Sequence, residues 1–253
     1  DTIQKALDAG ARKLRLALTG VDVLEKLPQF IIDKIVDLNA IQPYTRLERL
    51  HRALPHHLVK LSCSFNKLTE LPVLPPTLIE LHCGRNNLSH LPELPPNLEI
   101  LFCDSNLLTL LPALPPSLVK LNCAFNKMRE LPKNLPHELI RLNCSLNQLV
   151  CLHILPPTLI YLNCSFNNLV QLPTLPPSLV TLSCSNNQLV QLPALPPEME
   201  NVHCWRNQLV QLPELPLTLV LLECDNNRLT RLPALPPSLE NLYCTENPLV
   251  EVP

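Results

Sequence analysis

The chain has 253 residues and a formal net charge of −2, so it lacks the bulk basic field that would drive binding to nucleic acid or an anionic membrane surface. No stretch reaches the roughly 18 apolar residues of a membrane span, and no signal peptide is legible. Three glycines stand against 29 prolines and eleven cysteines. Most of the prolines recur in one phrase, which is periodic usage rather than a disordered proline-rich linker.

Residues 1–54 carry no repeat and are expected to form a small helical cap. Ile3, Leu7, Leu14 and Leu18 fall on a helical stripe that Thr19-Gly20 would stop. Pro28 opens a second segment, Gln29 to Leu38, with Ile31, Ile32, Ile35 and Leu38 apolar, and Pro43 opens a third to Ala53. Such a cap would cover the exposed core of the first repeat. The apolar spacing Leu27, Pro28, Ile31, Ile35 and Leu38 also resembles the opening of an F-box. That resemblance implies a segment, 27–54, that docks a Skp-type adaptor of a ubiquitin ligase.

From residue 55 to 253 a twenty-residue phrase runs through the chain ten times, read whole as LPALPPSLVKLNCAFNKMRE from Leu111 to Glu130. Its cysteine recurs from Cys63 to Cys244, with an asparagine three residues after each, from Asn66 to Asn247. One extra residue enters between Cys123 and Cys144. A fixed period of this length predicts a stacked solenoid. Within one unit, Leu121 and Cys123 alternate with Lys120, Asn122 and Ala124, the pattern of a short strand with one buried face. Neighbouring units then pair in parallel. The asparagine sits where the strand must turn and can bond backbone groups that would otherwise be buried unsatisfied. The Leu-Pro-x-Leu-Pro-Pro phrase cannot make an ordinary helix, so an extended, polyproline-like return is expected on the outer side.

Ten cysteines in one column would point in parallel into the interior, about 4.8 Å apart. A metal needs ligands converging from several directions, so the column reads as packing, and neither metal nor cofactor is expected. Ten adjacent thiols favour a reducing compartment. Cys151 lies off the column and is read as packing too.

These residues, LPxLPPxLxxLxCxxNxL, resemble the leucine-rich repeats of bacterial type III effectors of the YopM and IpaH kind, SspH and SlrP among them. Cysteine-bearing units of this sort are also similar to those of Legionella effectors and giant-virus proteins. The resemblance implies a leucine-rich-repeat solenoid secreted into a host cell, where it would bind a host protein in the cytoplasm. Ubiquitin ligases of the IpaH type carry a separate C-terminal catalytic domain, and only nine residues follow Cys244. A catalytic role is therefore not expected of the ladder cysteines. The chain stops without an evident polar cap, so a continuation is expected.

Recognition is then expected in the letters that vary along the strand face. Its centre is an amide and hydroxyl floor of Asn122, Asn143, Asn163, Ser145, Ser165 and Ser185. Toward the C-terminus, the only tryptophan, Trp205, falls on an outward position, with His203, Arg206, Glu223, Asp225 and Tyr243 around it. Trp, Tyr and Arg are the types that anchor protein interfaces. Tyr161 is a further candidate, as is Phe102 with Ile100, His82 and Arg85. His203 with Glu223 and Asp225 could suggest acid–base chemistry. On an open sheet, without a water-excluding pocket or a recognisable nucleophile, no enzyme is expected.

Overall fold

A computed structural model of the chain describes residues 14–17, 35–39, 48, 50 and 54–250. The chain divides into two compact units, Asp1–Leu118 and Val119–Pro253. The N-terminal unit holds β1 (Leu14–Ala17), β2 (Ile35–Asn39), β3 (Lys60–Ser62), β4 (Glu80–His82) and β5 (Ile100–Phe102), paired in parallel in chain order. The C-terminal unit holds β6 (Lys120–Asn122), β7 (Arg141–Asn143), β8 (Tyr161–Asn163), β9 (Thr181–Ser183), β10 (Asn201–His203), β11 (Leu221–Glu223) and β12 (Asn241–Tyr243). These too are parallel and in chain order. This is the stacked solenoid expected from the period, of the leucine-rich-repeat kind that the resemblance implies.

Each repeat strand is three residues long; in most, as in Tyr161–Asn163, the middle residue is buried and its flanks half-buried, whereas Asn241–Tyr243 has a half-buried middle and exposed flanks. The register is that of the repeat itself, setting Leu142 beside Leu162 and Leu162 beside Leu182. Leu142, Leu162, Leu182 and the cysteines two residues after them are fully buried. A parallel stack leaves each strand with donors pointing at the next repeat. They are used: Cys164 N donates to Ser183 O at 2.8 Å, and Phe166 N donates to Ser185 O at 2.8 Å.

The asparagines close the turn. Asn167 Nδ2 donates to Cys164 O at 3.0 Å and Ser165 O at 3.2 Å within its own repeat, and to Cys144 O at 3.1 Å in the previous one. Its Oδ1 accepts from Leu149 N at 2.9 Å. One side chain thus satisfies both its own turn and its neighbour's, as the buried backbone requires. The turn has a cost. The residue just before each asparagine takes a left-handed conformation, from φ 52° at Arg206 to φ 63° at Phe65, and none of the ten is glycine. For an ordinary side chain that costs about 1–2 kcal/mol, which the lateral bonds of the turn offset.

On the return stroke, no helix is present among the described residues, as the prolines dictate. The stroke ends in a β-turn rather than running extended throughout. Leu179 N donates to Pro176 O at 3.1 Å, and Leu118 N to Pro115 O at 3.1 Å. The second proline of each Pro-Pro pair stands at the turn position that suits its fixed φ. A hydroxyl ladder follows that turn. Ser178 Oγ donates to Pro157 O at 2.6 Å and Leu159 O at 2.9 Å, and Thr77, Ser117, Thr158 and Thr218 do the same in their repeats. The Ser/Thr recurrence after Pro-Pro was its signal in the sequence.

The helical reading of residues 1–54 is corrected where residues there are described. Leu14–Ala17 and Ile35–Asn39 are strands, and their register sets Leu16 beside Leu38 and Leu38 beside Leu61. The edge of β3 offers unpaired N–H and C=O groups, and adding strands in register satisfies them where a helix would not. Of the F-box-like positions, Ile35 and Leu38 lie on β2, while Leu27, Pro28 and Ile31 lie outside the described residues.

Candidate functional site

In the column after each cysteine, side chains must fit beside their neighbours in adjacent repeats. In the N-terminal unit a Cβ on Gly84 would stand 2.7 Å from Asp104 Oδ1. In the C-terminal unit the column is buried Ser145, Ser165 and Ser185, and then it admits Trp205. The indole finds room by leaning back across one repeat. Its ring meets Phe166 edge-on, centroids 5.7 Å apart at 80°. Ser185, in the repeat between them, is left only 2 % exposed, and its Oγ has no partner. Trp205 is therefore half-buried rather than freely outward, and its orientation is held by packing.

Two recesses flank the indole. The larger, about 420 Å3, is walled by Trp205 and Tyr243 with Glu223, Asp225 and Glu246, and by Arg206 at one side. Tyr243 is 50 % exposed. The Arg206 guanidinium lies 5.5 Å from the centre of the Trp205 ring. The carboxylates are positioned by their neighbours. Glu223 Oε2 accepts from His203 Nδ1 at 2.7 Å, Asp225 Oδ1 accepts from Thr245 N and Oγ1 at 2.8 and 2.7 Å, and Glu246 Oε2 accepts from Asn226 Nδ2. The smaller recess, about 280 Å3, has a polar floor of Asn163, Ser165, Ser183 and Ser185 under an apolar rim of Leu146, Phe166 and Trp205.

Trp205 and all five residues named around it from sequence meet here: Trp205, Arg206, Glu223, Asp225 and Tyr243 in the larger recess, with His203 bonded to Glu223 and lining the smaller. The other two candidates stand apart. Tyr161 lies beneath the Arg141 guanidinium, 5.0 Å from its ring centre, and lines neither recess. Phe102 belongs to the N-terminal unit and packs edge-on against His82 at 4.9 Å. There the strand face neutralises itself: Glu80 Oε2 takes Lys60 Nζ at 2.7 Å and His82 Nε2 at 3.4 Å. The Lys60 ammonium bonded to Glu80 holds its carboxyl below the usual range.

Sequence reading missed Phe166 and Leu146. Both occupy the left-handed turn position, which leaves them 41 % and 42 % exposed. Their signal was an apolar letter directly before the asparagine, at a place where the scaffold needs none.

The cysteine column is chemically quiet. All eleven cysteines are free thiols. Burial pushes Cys63 and Cys144 up to about 12, and burial also raises Cys164, Cys184 and Cys204 well above the ordinary thiol value. A thiol so held is a poor nucleophile and a poor metal ligand. Among the described residues no group of three or more His, Cys, Asp and Glu is arranged to hold a metal ion. Among the described residues no helix is long and apolar enough to cross a membrane.

No family model matches the chain, and no curated protein matches it. Solved structures do. YopM from Yersinia enterocolitica WA-314 is 35 % identical, with a TM-score of 0.70 over 90 % of this chain and 58 % of that one. YopM from Yersinia pestis, a leucine-rich effector protein, is 30 % identical, with a TM-score of 0.70 over 96 % of this chain and 91 % of that one. The functional domain of InlJ from Listeria monocytogenes, which includes a cysteine ladder, is 27 % identical, with a TM-score of 0.75 over 95 % of this chain and 59 % of that one. The chain thus spans 58 % of the length of the first of these and nearly all of the second.

Proposed function

The chain belongs to the leucine-rich-repeat effector family that includes YopM, and from that premise we propose that it binds a host protein through the strand face of its C-terminal unit. The solenoid is a non-catalytic protein-interaction scaffold. Trp205 and Tyr243 are the anchors, with Glu223, Asp225, Arg206 and His203 setting the charge and hydrogen-bonding pattern around them. The observation that carries this is the pair of recesses on either side of a tryptophan fixed by Phe166. A large aromatic side chain held in place loses little freedom on binding, which is what makes such residues hot spots. The working compartment is the reducing cytoplasm of a host cell, reached by secretion. Ten aligned thiols favour it, since an oxidising compartment would expose them to cross-linking whenever a repeat opened.

The adaptor reading of residues 27–54 needs a helix through Ile35 and Leu38, and β2 stands there instead. The interaction module without an adaptor function is therefore the reading we adopt.

The test is capture from host cytosol with wild-type protein and with the Trp205→Ala/Tyr243→Ala double variant, each first checked for an unchanged unfolding midpoint. A specific partner should bind the wild type and lose at least about 2 kcal/mol, roughly thirtyfold in affinity, with the double variant. Equal affinity for both proteins would remove this face as the site.

A further inference from the structure

The larger recess has an electrostatic imbalance that the fold does not resolve. Glu223, Asp225 and Glu246 face one guanidinium, that of Arg206, and Arg206 rests on the indole. Among the described residues, no lysine or arginine forms an ion pair with any of the three carboxylates. Each uses one oxygen in its bond to His203, Thr245 or Asn226, namely Glu223 Oε2, Asp225 Oδ1 and Glu246 Oε2. The second oxygen of each accepts nothing from the described residues. The N-terminal unit handles its strand-face carboxylate differently, pairing Glu80 with both Lys60 and His82. The C-terminal unit thus keeps positioned acceptors unfilled beside two aromatic faces.

We propose that this recess takes an arginine side chain presented by an extended segment of the partner protein. The inference rests on the strand-face reading above and names the chemistry that face selects. A guanidinium is planar and carries five donors in a fixed fork, so it can reach carboxylate oxygens on more than one residue while stacking on a ring. Arg206 over Trp205 shows that the indole accepts a guanidinium at this place. A lysine ammonium would meet the charge but neither the fork nor the stacking. A volume of about 420 Å3 has room for a long side chain together with part of the main chain that presents it. The neutral floor of Asn163, Ser165, Ser183 and Ser185 on the other side of Trp205 offers amide and hydroxyl groups to the main chain of the segment. An acidic partner segment would add to the carboxylates already there and be repelled.

Trp205 is the only tryptophan in the chain and walls both recesses, so its fluorescence reports on this part of the strand face. The protein is titrated with the peptide Gly-Ser-Gly-Arg-Gly-Ser-Gly, capped at both ends, and with versions carrying Lys, Gln or Glu in place of Arg. The arginine peptide should give a saturable change, the lysine peptide about fivefold weaker binding, and the other two no saturation. Raising the salt to about 1 M should weaken the arginine peptide severalfold. The Glu223→Gln/Glu246→Gln variant, which keeps both rings, should lose at least about tenfold. Arg206→Gln, which removes the competing guanidinium, should bind about threefold tighter. Equal binding of the arginine and glutamine peptides, no saturation with the arginine peptide at millimolar concentration, or unaltered binding by a folded Glu223→Gln/Glu246→Gln variant would overturn the proposal. If Trp205→Ala/Tyr243→Ala abolishes partner capture while Glu223→Gln/Glu246→Gln leaves it intact, the arginine proposal falls and the strand-face reading stands. If neither variant affects capture, both fall.

Discussion

In the C-terminal unit, Asn147, Asn167 and Asn207 each donate to the equivalent three carbonyls and accept from the equivalent backbone amide of the previous repeat, that of Met128, Leu149 and Leu189 in turn. Two residues upstream of them, Ser145, Ser165 and Trp205 share one column with side chains of very different size. The first set cannot vary, because each asparagine serves backbone groups of two repeats at once. The second set can, because a side chain that is too large for its slot can lean along the sheet, as Trp205 does to reach Phe166. The interior therefore stores the architecture, and the strand face is left free to vary. Substitutions should separate the two cleanly.

The largest effect is expected from pH acting on the interior. The native ladder keeps its protons, with Cys63 and Cys144 pushed up to about 12 by burial, whereas unfolded thiols ionise near 8.5. Above that pH the unfolded chain binds fewer protons than the native one, so stability is full below it and is lost as pH rises toward 12. Each such thiol contributes a loss of up to about 1.4 kcal/mol per pH unit in that window. Urea midpoints should be flat from pH 7 to 8 and fall steeply beyond 9. A flat profile to pH 11 would mean the column is not buried as described.

Next comes Asn167→Ala, which strands the carbonyls of Cys144 and Cys164 and the amide of Leu149. A loss of about 3–5 kcal/mol is expected by chemical denaturation. A loss below about 1 kcal/mol would show that water or backbone relaxation replaces the side chain.

Phe166→Ala moves from scaffold to face. It removes the edge contact that orients Trp205, at a cost of about 0.5–1.5 kcal/mol. The more telling readout is the tryptophan emission, which should shift to the red as the indole becomes wetter. An unshifted spectrum would show that the ring is held by something other than Phe166.

The smallest effect belongs to the N-terminal face. Lys60→Ala removes an ion pair with Glu80 whose partners are 38 % and 30 % exposed, so about 0.2–1 kcal/mol is expected, diminishing in salt. The freed Glu80 carboxyl should titrate higher in the variant, as followed by NMR, because the ammonium that lowered it is gone.

Much of this was legible from the period. The Leu121/Cys123 alternation named the strand and its buried face, and the asparagine three residues on named the turn. Trp205 and the five residues grouped around it did converge. Reading failed where a residue's fate depends on its neighbour in space. Leu14 with Leu18, and Ile35 with Leu38, are spaced as on a helix stripe, yet runs this short and apolar also suit a strand. The open edge of β3 decided between them at the described residues. Phe166 looked like one more apolar letter until the turn placed it at φ 56° with its ring outward.

By itself, the sequence determined the repeat length, the parallel strands, the inward leucines and cysteines, and the role of the asparagine. These follow from backbone hydrogen bonding and from side-chain alternation, both of which are local and periodic. Only the tertiary structure decided that Trp205 lies half-buried across Ser185, that His203 is spoken for by Glu223, and that three carboxylates remain short of cations. Those outcomes depend on which side chains of different repeats compete for the same space and the same charge, and no single repeat contains that information.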